Sequence, residues 1–130
     1  MTIDFHTHTF PDAISGKVLE KLSRLSHTKY FTDGSAGGLA ASMKKAGIDY
    51  SVNLPVMTSA DQVEKVNSAL IAGKESLKDL GILTFGGMHP DYENYKDELS
   101  RLRQHKICGI KIHPAYQNTD IDDKKMMRII

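Results

Sequence analysis

Thr2 to His8 alternates, with Ile3 and Phe5 on one face and Asp4, His6 and His8 on the other, which is the two-residue period of a strand. Phe10-Pro11-Asp12 breaks that period. Asp12 can cap a helix whose apolar residues Ile14, Val18, Leu22 and Leu25 recur at helical spacing. A polar, glycine-containing loop from His27 to Gly38 precedes a short helix around Leu39 and Met43, closed by Gly47. Tyr50 to Val56 reads as a second strand with Pro55 at its end. Ser59 and Gln62 form a capping box ahead of Val63, Val66, Leu70, Leu77 and Leu80, and this helix ends at Gly81. Ile82 to Phe85 is a third strand running into Gly86-Gly87, and Asp91 caps a helix carrying Tyr92, Tyr95, Leu99 and Leu102. Ile107 to Ile112 is a fourth strand, in which Cys108 reads as a small core residue. Asp120, Asp122 and Asp123 open a last helix, with Met126, Met127, Ile129 and Ile130 on its apolar face. Strand then helix, four times over, predicts an α/β fold with a parallel sheet in a single domain, residues 1–130.

Composition narrows the function. The chain is 40% hydrophobic and 25% charged, ordinary values for a globular domain. Seventeen Lys and Arg oppose sixteen Asp and Glu, for a formal charge of +1, so there is no basic surplus to hold a nucleic-acid backbone. The single cysteine excludes a disulfide framework and a cysteine-rich zinc site. Apolar runs fall far short of the roughly 20 residues a membrane span needs. The start, MTIDFHTH, lacks the pattern of a signal peptide. A cytoplasmic protein acting on a small molecule, without nucleic-acid or membrane partners, is the expectation.

The histidines fall in a pattern. His6 and His8 end the first strand, His89 follows the third, and His113 ends the fourth. In parallel α/β folds the C-terminal strand ends carry the active site, because the connecting loops converge there. His-x-His on a strand turns two imidazoles to one face, close enough to share a metal ion. Zinc suits imidazole nitrogen well, while iron, manganese and nickel also accept it. A surface or core role is the plain alternative for an isolated His-x-His. Its place after Asp4, on the first strand of an α/β chain, favours the metal.

Three segments together carry a resemblance: Asp-Phe-His-Thr-His-Thr-Phe-Pro-Asp at 4–12, Gly-Gly-Met-His-Pro-Asp at 86–91 and Gly-Ile-Lys-Ile-His-Pro-Ala-Tyr-Gln at 109–117. They resemble the amidohydrolase superfamily, in particular its amidohydrolase-related branch of metal-dependent hydrolases and decarboxylases. The resemblance implies a (β/α)8 barrel of TIM type, with a divalent metal, zinc foremost, at its C-terminal mouth. It implies that His6 and His8 are metal ligands. The family's later ligands and water-activating Asp come from strands five, six and eight, and no residue here corresponds to them. A complete barrel takes about 250 residues. Four of the eight units are therefore expected here, an N-terminal half-barrel or a truncated barrel, and a homo-oligomer is expected because four strands leave two open edges.

Parity assigns the remaining candidates. Ile110 and Ile112 alternate with Lys111 and His113, so if the isoleucines face helices, Lys111 and His113 face the interior. His113 then touches metal or substrate in a catalytic role, against the plain reading of a loop anchor before Pro114. Lys111 compares with the carboxylated lysine of some superfamily members, although an interior cation paired with Asp4 is the simpler role. His89 and Tyr116, with Lys111, are the substrate-facing candidates, against roles in a turn and an exposed loop. Asn53 fits buried polar packing as well as function, Gln117 shares with Tyr116 a loop that reaches substrate or is simply exposed, and His27 and His105 have no assigned role. Two other functions share these features. A phosphoesterase of the polymerase-and-histidinol-phosphatase family also opens on Asp-x-His-x-His, and a non-catalytic half-barrel would lack the later ligands in the same way.

Overall fold

The computed structural model describes residues 1–130. Two compact units make up the chain, one from residues 1–53 and 76–83, the other from residues 54–75 and 84–130. The architecture is α/β with parallel strand pairs, and the strands form one sheet of three and one of two without closing a barrel. No helix is long and apolar enough to cross a membrane.

In the first unit, β1 (Ile3–Thr7) pairs in parallel with β2 (Tyr50–Asn53), matching Ile3 with Tyr50, Asp4 with Ser51 and Thr7 with Asn53. The register slips between Asp4 and Thr7. Two side chains secure the strand end beyond the slip. Thr7 Oγ1 donates to the Val52 carbonyl at 2.8 Å, and Asn53 Oδ1 accepts the Thr9 N–H at 2.8 Å. The third strand of this sheet, β3 (Ile82–Thr84), lies beside β2, and the Ser51 N–H reaches the Gly81 carbonyl. Helix α1 (Asp12–Ser26) begins one residue earlier than expected: Pro11 holds the cap position, and Asp12 is the first helical residue, where its charge suits the helix dipole. Helix α2 (Ala36–Ala46) is capped by Ser35 Oγ and closed by Gly47 at φ 68°. Because β1 is an edge strand, Ile3 and Phe5 stay 42% and 59% exposed, and of that face only Thr7 is buried.

The expected third strand is broken. After β3, Phe85 interrupts the ladder, and β4 (Gly86–Gly87) pairs in parallel with β5 (Ile110–Lys111) in a separate sheet. A Gly-Gly pair brings no side chains to hold a strand in register, so such strands stay short. The fourth strand is likewise shorter than its apolar run suggested: Ile107 is buried, but Cys108 is exposed and is not a core residue. Here Ile110 and Ile112 pack against the core of Met57, Val63, Met88 and Ile129, as does Leu99 of α4 (Tyr95–Gln104). Helix α3 (Val63–Asp79) supplies Val63 and Val66 to the same core. Asp91 does not cap α4. Asn94 holds that position, while Asp91 pairs with Lys125 Nζ at 2.6 Å, next to the short α6 (Lys124–Met127). Of the last four apolar residues, Met126 and Ile129 are buried and Met127 and Ile130 exposed.

Gly109 shows how tightly this unit is built. A Cβ there would come within 2.3 Å of the Phe85 ring. Gly109→Ala is therefore expected to lower stability by about 1–3 kcal/mol, the usual cost of overpacking. Urea unfolding of both proteins measures it, and a change below about 0.5 kcal/mol would show that the ring swings aside freely.

Candidate functional site

The first group of candidates follows from the parity of β1. His6 is exposed and His8 half-buried, and their ring centroids lie 5.2 Å apart, edge to face at 75°. Two imidazoles on one tetrahedral zinc, with Zn–N of about 2.0–2.1 Å, place their centroids about 5 Å apart. The pair thus has the spacing that a shared ion requires. No group of three or more His, Cys, Asp or Glu side chains that could hold a metal ion converges on one point in the fold. Such a pair leaves coordination positions for water, substrate or a further ligand. Thr9, held by Asn53, and Thr7, held by Val52, bracket His8 on the backbone and restrain the strand end that carries it.

The second group sits at the C-terminal ends of β4 and β5. The pairing of Gly87 with Lys111, continued by the Met88 N–H to the Lys111 carbonyl at 3.1 Å, brings His89 and His113 to neighbouring strand ends. Both precede proline, and both use Nδ1 as a backbone acceptor. His89 Nδ1 takes the Asp91 N–H at 3.2 Å. His113 Nδ1 takes the Tyr116 N–H at 3.4 Å and so caps the short α5 (Pro114–Gln117), and its ring stacks on Tyr116 at 4.1 Å and 9°. Tyr116 is thus helical rather than in a loop, and it buttresses the His113 ring. Lys111 is half-buried.

Gln117 is a clamp. Its buried amide donates to the Met88 carbonyl at 2.7 Å and the Met57 carbonyl at 3.3 Å, and accepts the His113 N–H at 3.0 Å. One side chain thus ties both histidine-bearing strand ends to the segment leaving β2. The sequence places Gln117 on a substrate-reaching or exposed loop; instead it is helical and buried, with three hydrogen bonds.

Burial holds the His89 pKa below the ordinary imidazole value, outweighing the upward pull of the Asp91 and Asp61 carboxylates. His89 is therefore neutral at pH 7. In the unfolded chain it protonates near pH 6.5, before the folded form does, so between those two values the unfolded state binds more protons. The contribution is fully present above pH 6.5 and is lost as pH falls towards the folded value. Stability is accordingly expected to drop below pH 6.5, and less steeply in His89→Asn; urea unfolding from pH 7.5 to 5 checks this.

A buried polar network backs the second group. Asn67 of α3, fully buried, accepts the Gly87 N–H at 2.8 Å and donates to the Gly87 carbonyl at 3.0 Å, so its amide replaces a neighbouring strand. It also donates to Glu98 at 2.7 Å, and Arg101 grips the Glu98 carboxylate at 2.7 and 2.8 Å. Nearby, burial first and the Glu64 hydrogen bond second push the Tyr92 hydroxyl pKa up to about 12. Sequence reasoning missed Asn67 and Glu98, although a signal was present. Each sits on the apolar stripe of its helix, at the i+4 position of 63, 66, 67, 70 and the i+3 position of 95, 98, 99, 102.

No family model matches the chain, and no curated protein matches it significantly. The site is therefore read from its own residues.

Proposed function

We propose that this chain is the metal-holding portion of an amidohydrolase-type hydrolase, half of a TIM-type barrel, in which His6 and His8 bind a divalent ion, zinc foremost. The observation that supports this is the 5.2 Å separation of the two ring centroids, the spacing of two imidazole ligands on one tetrahedral ion. Such an ion, when bound, lowers the pKa of its water and polarises the electrophilic carbon of a C–N or C–O bond. His113 orients the substrate, with His89, Lys111 and Tyr116 as further contacts. Gln117 fixes the two strand ends. No residue of this sequence is assigned as the general base. A decarboxylase of the same branch would use the same ligands.

Turnover tests the reading. With zinc or manganese, amides, lactones and esters are expected to be turned over weakly, and the His6→Ala/His8→Ala variant to lose even that. Turnover of phosphate monoesters alone would favour the phosphoesterase. No turnover by wild type, with zinc still bound, would favour the non-catalytic half-barrel.

The same reading includes self-association. Edge strand β1 presents exposed Ile3 and Phe5, and β5 has one strand partner, β4. Edge strands of this kind can template pairing with another chain. A homo-oligomer is expected in sedimentation equilibrium, and Phe5→Lys is expected to shift it towards 14.4 kDa. A wild-type monomer at all concentrations would refute the association.

A further inference from the structure

Three amide side chains are buried in the fold, and only one keeps a donor free. Asn67 uses both ends of its amide on Gly87 and Glu98, and Gln117 uses both of its own on Met57, Met88 and His113. Asn53 differs. Its Oδ1 accepts the Thr9 N–H at 2.8 Å, which fixes the orientation of the amide, and its Nδ2 has no partner in the protein. The side chain is 1% exposed, yet that nitrogen is not sealed off as the unpartnered Ser51 Oγ and Thr84 Oγ1 are. Buried donors without an acceptor are uncommon, because each gives up its hydrogen bonds to water with nothing in their place.

Asn53 ends β2, opposite Thr7 in register, and the N–H it accepts belongs to the His8–Thr9 peptide. Nδ2 shares a carbon with Oδ1, so the free donor lies beside that peptide, at the strand end that carries His8. The two strands run parallel, and this is their common C-terminal rim, where open α/β sheets bind ligands. On β1 the Asp4 carboxylate, opposite Ser51, disfavours an anion, and the amide donor is itself uncharged. The fitting acceptor is a neutral oxygen. We propose that Asn53 is a substrate-binding residue, its Nδ2–H donating to the carbonyl oxygen of a carboxamide or ester brought in beside the His8–Thr9 peptide. This rests on reading the strand end that carries His8 as the substrate site, and it needs no metal.

The test uses the full chain without metal, acetamide as probe, and tetramethylammonium, which has no acceptor, as control. In nitrogen-15 spectra the Asn53 side-chain NH2 pair is the one that Asn53→Asp removes. That pair, with the backbone amides of Thr7, His8 and Thr9, is expected to move saturably with acetamide and not with tetramethylammonium. Asn53→Asp keeps an acceptor for the Thr9 N–H and deletes the donor. Read from the three backbone amides, it is expected to weaken acetamide binding roughly tenfold, the worth of one hydrogen bond whose loss sets acceptor against acceptor. Repeating the titration in His6→Ala/His8→Ala separates the donor from the metal. Retained shifts there leave Asn53 standing whatever zinc does, whereas their loss would place the probe on the histidines and overturn the proposal. An NH2 pair that acetamide does not move would show that water alone meets the donor. That result, an equal response to tetramethylammonium, or an Asp variant that binds as wild type does would each overturn the proposal too. Should the Asp variant fail to fold, the pair is assigned through its own backbone, and the wild-type titrations decide.

Discussion

Zinc uptake by this chain is expected to fall by at least two orders of magnitude when His6 and His8 are both replaced by alanine. On the proposed reading the pair would act as a chelate: with one imidazole bound, the other, 5.2 Å away by ring centroid, would already be held near the ion, at an effective concentration set by the chain rather than by diffusion. Either single alanine variant is expected to lose most of the affinity, about 10–100-fold, and the double variant to add little beyond the second loss. Competition against a chromophoric chelator measures these losses. Unchanged zinc content in the double variant would remove these residues from any metal site.

The largest loss of stability is expected at Asn67. Alanine there strands the N–H and carbonyl of Gly87 and one bond to Glu98, all buried. Each buried group left unpaired costs about 1–3 kcal/mol, so a total near 3 kcal/mol or more is expected. That is a large share of the 5–15 kcal/mol typical of a small domain. Asn67→Asp is expected to be worse, since it sets a carboxylate against both the Gly87 carbonyl and Glu98. Urea unfolding gives both values. A loss under about 1 kcal/mol for Asn67→Ala would mean that water replaces the amide.

Period-two alternation made the first strand readable, over Ile3–Thr7 rather than Thr2–His8, although the Ile3 and Phe5 face stays exposed. Ile110 and Ile112 do lie against the core, but the strand that carries them is only Ile110–Lys111. What escaped the sequence depended on partners far along the chain. Asp91 looked like a helix cap, but Lys125, 34 residues later, claims its carboxylate, and the His89 ring claims its N–H. Gly86-Gly87 looked like the end of one strand, yet its outer edge is completed by the Asn67 side chain. Gln117 carries no local sign of its three partners, two of which lie 29 and 60 residues away. The spacing of β1 histidines is a local property; the roles of Asn67 and Gln117 are tertiary ones.

Cys108, misread as interior, turns into an experimental asset. It is the only thiol and it is exposed, two residues before the start of β5. A maleimide dye or spin label will therefore attach at one position, next to an edge that self-association would cover. Labelling that slows as the chain is concentrated would report that edge closing, whereas air oxidation would join two copies covalently there and mimic an oligomer. Reductant in the buffer tells the two apart, and the labelling rate becomes a footprint of the β5 edge at concentrations too low for sedimentation.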